Sequence, residues 1–315
     1  MQARRPSVLS SVVALAVVGV AVVAVVDAVR SSGPQAAAAP VVLAKQDRAR
    51  VESQLRSAGL GHSLVLTGRD CRLAALPLPE LTPLVDLRVR ACDAAVSPRA
   101  PLRSSWFVWH RPPLLVARCA GAGIKVSAPG GKSVGFIRGC EPAWLPDGTL
   151  SYVRRGEVTH FPPAGRAELL LSRGQLELAF GARRNPQVRD LAWETGDRAA
   201  ALVALERPEA LVVAVFVDGR LVRRRTVPAG TSALGAAPGG ARLFLLEGRD
   251  RQPVVLGPDL RQIAVAGLET GVLGASWSPD GRWLALAERT HVDLVEVGSG
   301  RRIRLPVAAT AVAWR

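Results

Sequence analysis

The sequence predicts an all-β fold, a six-bladed β-propeller, and three observations predict it. A hairpin signal, built on an aromatic residue and a Pro-Asp-Gly or related turn, recurs at a near-constant spacing. Between recurrences lie short Val-, Leu- and Ala-rich runs that alternate with period two and are punctuated by Gly and Pro. The last unit stops after one strand, and the region before the first anchor supplies the three strands that unit lacks. The composition agrees. Apolar residues make up 49% of 315, enough for a large core, while 30 Gly and 23 Pro are too many for a helical bundle.

The chain opens with a different kind of segment. Val8 to Val26 carries no charge over nineteen residues, and roughly 20 apolar residues span a bilayer core. Arg4 and Arg5 precede it, which places the N-terminus in the cytoplasm by the positive-inside rule. The expectation is a short cytosolic tail (1–7), an uncleaved transmembrane signal anchor (8–29), a linker or stalk (30–61) and an extracytoplasmic propeller (62–315). An Ala36–Ala39 tract keeps a cleaved signal as the alternative. Within the stalk, residues 44–55 are good helix formers. Leu43, Val51 and Leu55 give them only a weak apolar stripe, so a short exposed helix is expected.

The repeats are read from one anchor in each first strand. Ser276-Trp277-Ser278-Pro279-Asp280-Gly281-Arg282-Trp283 is the clearest, and Ala143-Trp144-Leu145-Pro146-Asp147-Gly148 nearly duplicates it. Ala192-Trp193 is followed by Gly196-Asp197; Gly235-Ala236 keeps only the turn; Ala95-Val96 keeps Ser97-Pro98; Ala311 to Trp314 is a first strand alone. The anchors Val96, Trp144, Trp193, Ala236, Trp277 and Trp314 are separated by 48, 49, 43, 41 and 37 residues, close to the length of a propeller blade. In the clearest unit the strands are expected at 275–278, 283–288, 292–297 and 302–307. The Trp193 unit offers 199–205, 211–217 and 221–227, with Asp218-Gly219 as a hairpin turn. The stretch 103–113, with Trp106, Trp109 and His110, reads as an insertion.

The Ser-Pro-Asp-Gly hairpin, opened by a small residue and an aromatic, resembles the repeat of TolB-like and related WD40-like (PD40-type) β-propellers. The resemblance covers roughly residues 62–315. It implies recognition through loops on one face of the ring and through the central channel, and it carries no catalytic residue across. The strands 63–67, 72–77 and 86–91 then complete the blade begun by Ala311–Trp314, so that the two chain ends share one sheet and no edge is left open.

Four cysteines stand at 71, 92, 119 and 140, in two pairs each 21 positions apart. Each first Cys falls near the start of a third strand and each second at the end of a fourth, ends that face each other in an antiparallel hairpin. Disulfides Cys71–Cys92 and Cys119–Cys140 are therefore expected in an oxidising compartment. The C-x₂₋₄-C spacing of a zinc site is absent.

No motif carries chemistry well. Gly131-Lys132-Ser133-Val134-Gly135 matches a nucleophile elbow, but it sits in a turn that leads to a short strand instead of a helix. His62, His110, His160 and His291 are far apart. On the inner strands only Asp190 and Glu194 interrupt the Ala, Trp, Val, Ser and Leu lining. The formal charge is +15, nearly all of the basic residues being Arg, and it is still +13 without residues 1–30. Arg154-Arg155, Arg183-Arg184, Arg223–Arg225 and Arg301-Arg302 fall in or beside outer strands and turns, where charge blunts edge pairing. The expectation is a non-catalytic binding or scaffold module, without cofactor or metal. Its partner would be an envelope protein or an anionic wall polymer, with contact to lipid headgroups; nucleic acid is disfavoured by location. The alternative is a channel enzyme, a hydrolase or lyase acting on a sugar or lactone.

Overall fold

A computed structural model describes residues 45–81, 84–92, 95–96, 114–121, 123–161, 167–240 and 242–315. The predicted transmembrane segment 8–29 and the insertion at 103–113 lie outside these residues. Among the described residues no helix is long and apolar enough to cross a membrane.

The described residues form six four-stranded antiparallel sheets, a six-bladed propeller. Blade one combines β1 (Ser63–Thr67), β2 (Arg72–Pro77) and β3 (Val85–Arg90) with the last strand of the chain, β24 (Ala311–Trp314), in the order β24-β1-β2-β3. Here Leu64 is opposite Trp314 and Thr67 opposite Ala311. Blade two is β4 (Ala95–Val96), β5 (Val116–Ala120), β6 (Gly123–Ser127) and β7 (Ser133–Arg138). Blade three is β8 (Cys140–Trp144), β9 (Leu150–Arg154), β10 (Glu157–Phe161) and β11 (Glu168–Leu171). Blade four is β12 (Gln187–Trp193), β13 (Arg198–Glu206), β14 (Glu209–Val217) and β15 (Arg220–Val227). Blade five is β16 (Ser232–Ala236), β17 (Leu243–Glu247), β18 (Gln252–Leu256) and β19 (Gln262–Ile263). Blade six is β20 (Gly274–Trp277), β21 (Trp283–Ala287), β22 (Val292–Glu296) and β23 (Arg302–Leu305).

The core is divided among the seams between blades, because each sheet buries both faces against its neighbours. Val65, Leu73, Leu87, Leu114 and Val116 fill the seam of blades one and two. Ala117, Ile124, Leu150 and Tyr152 fill the next seam, between blades two and three. Phe216, Val203 and Val188 of blade four meet Val158 and Leu171 of blade three. Two further clusters join blades four to five and five to six. The sixth cluster joins blade six to blade one: Trp283, Leu294, Ile303 and Leu305 pack with Leu64, Leu66 and Leu76.

The Pro-Asp-Gly turn shows why that signal is so readable. Gly281 takes φ +67°, the left-handed region that an L side chain resists. Its N–H donates to the Ser278 carbonyl (2.9 Å), and Ser278 Oγ accepts the Trp283 N–H (2.8 Å) while donating to Asp280. Pro146-Asp147-Gly148 keeps the backbone part of this turn, the Gly148 N–H donating to the Leu145 carbonyl (2.9 Å), and adds the Thr149 N–H on Asp147 Oδ1 (2.8 Å).

Among the described residues two α-helices accompany the sheets. The first, α1 (Lys45–Ser57), differs from the exposed helix expected: Val51 and Leu55 are buried in the cluster of blades six and one. Two apolar residues one turn apart suffice, because Arg301 on the β22–β23 turn also donates to Ser57 Oγ (2.6 Å) and Arg48 donates to the Glu80 carbonyl (3.1 Å). The second, α2 (Arg173–Phe180), lies between β11 and β12 and has no counterpart among the sequence expectations. It opens with a capping box: Ser172 Oγ accepts the Gln175 N–H (3.1 Å) and Gln175 Oε1 accepts the Ser172 N–H (2.7 Å).

Candidate functional site: the central channel

Each of the six anchors, Val96, Trp144, Trp193, Ala236, Trp277 and Trp314, is the last residue of the innermost strand of its blade. All six line one cavity of about 1360 Å³, to which every blade contributes. Four tryptophans therefore belong to its lining, Trp144 and Trp193 half-buried, and Trp277 and Trp314 buried with their side chains in the seams of blades five and six and of blades six and one.

The inner strands are tied to one another by bonds that run from one blade to the preceding one. The Trp144 indole N–H donates to the Ala95 carbonyl at 2.9 Å. Trp193 donates to Ser151 Oγ at 2.6 Å, and Ser151, fully buried, donates in turn to the Ala143 carbonyl at 2.9 Å. Trp277 reaches the Gly235 carbonyl at a long 3.4 Å. At blade one the backbone N–H of Trp314 donates to Ser276 Oγ at 3.2 Å. These bonds commit the polar edge of three indoles to the seams.

Asp190, on β12, supplies a fifth tie, between blades four and five, and the channel's most unusual group. Its Oδ1 accepts the Leu191 N–H and its Oδ2 the Leu234 N–H of blade five, each at 2.8 Å. Burial pushes its pKa up to about 6. The two N–H donors oppose that rise, and the charge of Glu141 adds to it. Glu141, Arg69, Arg189 and Arg251 also line the cavity. Arg251 is fixed by the Val272 carbonyl (2.8 Å) and the Leu273 carbonyl (2.5 Å), and burial lowers its pKa. The lining thus combines tryptophans, three arginines and two carboxylates. Glu194 does not join it: 3% exposed, it is ion-paired with Arg198 across the turn that follows β12.

The cysteines pair as expected, Cys71 with Cys92 and Cys119 with Cys140, with Cα–Cα distances of 4.6 and 5.4 Å. The placement of the second bridge differs from the expectation. Cys71 and Cys92 flank β2 and β3, the third and fourth strands of blade one counted outward. Cys119 lies in β5, the second strand of blade two, and Cys140 opens β8, the innermost strand of blade three. The second disulfide therefore crosses a seam, and the equal spacing does not mark equivalent positions.

The other candidate residues resolve simply. Ser133 begins β7 with no helix after it, which removes the nucleophile elbow. His160 sits 3.1 Å from Glu168, and His62 meets Trp314 edge to face. His110 lies outside the described residues. His291, Glu288 and Asp293 bring one ligand atom each within 4.8 Å of one another, the spacing of a metal site. The guanidinium of Arg302 contacts Asp293, and Arg304 Nε lies 3.0 Å from its other oxygen, so cations of the chain already occupy this carboxylate. The set is an ion-pair network at the outer part of blade six.

Sequence reasoning missed Glu141, Arg69, Arg189 and Arg251 as channel residues. No local pattern marks them, since the ring alone brings positions so far apart to one space.

No protein-family description matches the chain, and no curated protein matches it. Solved structures do. The chain is similar to a structure titled "Dihydro-heme d1 dehydrogenase NirN in complex with DHE", at 19% identity over 68% of this chain and 49% of that one, with a TM-score of 0.40. It therefore spans about half the length of that protein. It is also similar to the Myceliophteria thermophila Cps50 (Swd1) β-propeller domain, at 14% identity over 78% of this chain and 86% of that one, with a TM-score of 0.44. A third match is a chain of the Mitotic Checkpoint Complex, at 13% identity, 74% and 73% coverage and a TM-score of 0.40.

Proposed function

We propose that this chain is a membrane-tethered, extracytoplasmic, TolB-like propeller that binds an anionic polymer of the cell wall through its central channel, without chemistry on the ligand. In this reading the blade shared by β1 and β24 closes the ring, and the Val8–Val26 segment holds it at the membrane. The observation that carries the reading is the cavity itself. At about 1360 Å³ it exceeds the usual space for one small ligand, and it suits a segment of a polymer. Trp144 and Trp193, half-buried in the lining, suit contact with sugar rings, and Arg69, Arg189 and Arg251 outnumber Asp190 and Glu141, which favours phosphate or carboxylate groups. The two disulfides fit an oxidising compartment.

The test is a titration of the purified full chain with isolated wall-polymer fragments, read by tryptophan fluorescence. The expected result is saturable binding that weakens at least tenfold when the exposed Arg69 and Arg189 are both changed to Glu. Absence of binding, equal binding by the variant, or binding only to an envelope protein would overturn the polymer reading.

One observation favours a second reading, a channel enzyme acting on a sugar or lactone. A carboxyl group with a pKa of about 6 inside a cavity is suited to exchange protons near neutrality. Turnover of such a substrate that disappears in Asp190→Asn would replace binding by catalysis.

A further inference from the structure

The two ends of the channel differ in chemistry. The six anchors end the innermost strands, whereas the charged lining residues lie where those strands begin. Glu141 and Arg189 stand early in β8 and β12. Arg251 reaches Ser232 at the start of β16 and the Leu273 carbonyl just before β20. Arg69 lies just past Thr67, which is opposite the first residue of β24. The backbone is irregular at this same end. The register of the innermost strand shifts between Cys140 and Ala143, between Val188 and Asp190 and between Ser232 and Gly235, in three consecutive blades. Such bulges re-aim side chains and gather beside binding sites. Glu141, Ala233 and Arg251 also take positive φ (51°, 54° and 52°), a conformation that is costly for a residue with a Cβ.

Arg251 is the most constrained of these groups. It sits in the turn between β17 and β18 of blade five. Its Nε donates to the Val272 carbonyl (2.8 Å), its Nη2 to the Leu273 carbonyl (2.5 Å) and its Nη1 to Ser232 Oγ (3.4 Å). All three acceptors are neutral. No carboxylate pairs with Arg251 among the described residues, although burial already disfavours its charge. A partly buried cation held only by neutral acceptors keeps an attraction for anions that an ion pair would have satisfied. The three bonds also fix the guanidinium plane, so little side-chain entropy is lost when a ligand arrives, and further N–H groups remain to receive it. Asp190 does not cancel this attraction, since both of its oxygens accept backbone N–H groups. Arg189 beside it is exposed and without an ion pair among the described residues, and it lines the same cavity.

We propose that Arg251 is the anion anchor of the channel: its guanidinium binds an oxyanion of the ligand, phosphate or carboxylate, at the end where the innermost strands begin, with Arg189 as the exposed second donor. A planar guanidinium can offer two parallel N–H groups to two oxygens of either anion. The proposal rests on the polymer-binding reading and adds which residue selects the anion and which end of the channel receives it.

The first test needs no substitution. The full chain is treated with methylglyoxal, a small dicarbonyl that modifies accessible guanidinium groups, and the modified peptides are quantified by mass spectrometry. Glycerol 3-phosphate, glucuronate or neutral glycerol is present at constant ionic strength. Modification of Arg251 should slow severalfold with the phosphate, the carboxylate or both, which identifies the oxyanion. It should be unchanged with glycerol, and so should modification of Arg220, an exposed arginine on the outer strand of blade four. Equal protection of Arg251 and Arg220, no protection by either anion, or an Arg251 that the reagent does not reach would overturn the proposal.

The second test is affinity for the same anion. Arg251→Gln, shown to be folded by its melting curve, should weaken binding by about tenfold or more, the loss of one charge-assisted bond, and Arg251→Lys should recover part of it. A folded Arg251→Gln that binds as the parent does would remove the anchor. Wall-polymer fragments separate the two readings. Polymer binding that survives Arg251→Gln leaves the channel reading and removes the anchor, while anion binding that Arg251→Gln abolishes, without any polymer binding, does the reverse.

Discussion

The Asp190 carboxylate accepts the backbone N–H of Leu234 at 2.8 Å, and so ties blade four to blade five while facing the channel. This tie has an unusual pH dependence. Burial raises the pKa from 3.8 to about 6, so the folded protein holds the proton more tightly than the unfolded chain. The contribution of Asp190 to stability is complete below its ordinary value and is lost as pH rises through about 6. The difference corresponds to at most about 3 kcal/mol, reduced by solvent within the cavity. Urea unfolding between about pH 4 and pH 7 should show this decline in the parent and lose it in Asp190→Asn. Parallel profiles in the two proteins would show that the carboxylate is not enclosed as described.

Asp293 should behave in the opposite way. It is fully buried in blade six, and burial alone would raise its pKa. The bonds from Arg302 and Arg304 outweigh that effect and hold it below the ordinary carboxylate range. Its contribution is therefore present above the ordinary value and lost as pH falls. Asp293→Ala should cost about 1.5–3 kcal/mol at neutral pH, because it removes the shared partner of two guanidinium groups, although Arg302 keeps Glu269 and Arg304 is half exposed. Asp293→Asn should flatten the acid side of the stability profile, the side that Asp190→Asn leaves unchanged.

The two disulfides close loops of the same length, yet they should differ in what they restrain. Each contributes about 3 kcal/mol by loop entropy. Cys71–Cys92 joins strands of one blade, and Cys119–Cys140 joins blade two to blade three. Replacing the first pair by Ser should speed hydrogen exchange in β2 and β3 alone. Replacing the second should speed it in β5 and β8 together. Exchange confined to one blade in both variants would contradict the crossing.

The sequence was legible where the signal is local. An aromatic followed by Pro-Asp-Gly sets a turn by its own φ preferences, so the anchors at Trp144 and Trp277 fall at strand ends as read. Val51 and Leu55 were too few to reveal that α1 packs on the propeller, although both are buried. The short α2 was not read, because eight residues between strands give no period to detect. Cys119 and Cys140 could be paired by spacing but not placed, because 21 residues span either one hairpin or a seam. The channel residues Arg69, Glu141 and Arg251 were illegible for the same reason: their proximity is a property of the ring.

Gly235 shows how closely the innermost strands approach their neighbours. A Cβ at this position would lie 2.5 Å from Phe244 Cδ1 and 3.8 Å from Trp277 Cδ1. Phe244 is 1% exposed and packs with Trp277, Leu246 and Leu284, so the ring cannot swing away freely. The Gly235 carbonyl also accepts the Trp277 indole N–H. Gly235→Ala should therefore destabilise by about 1–3 kcal/mol through overpacking. Trp277→Phe should cost about 1 kcal/mol by removing the donor, on top of any loss of packing. Because both changes act at one contact, the double variant should cost less than the sum. Additive losses in urea unfolding would show that the strain at Gly235 is relieved elsewhere than at the Trp277 indole.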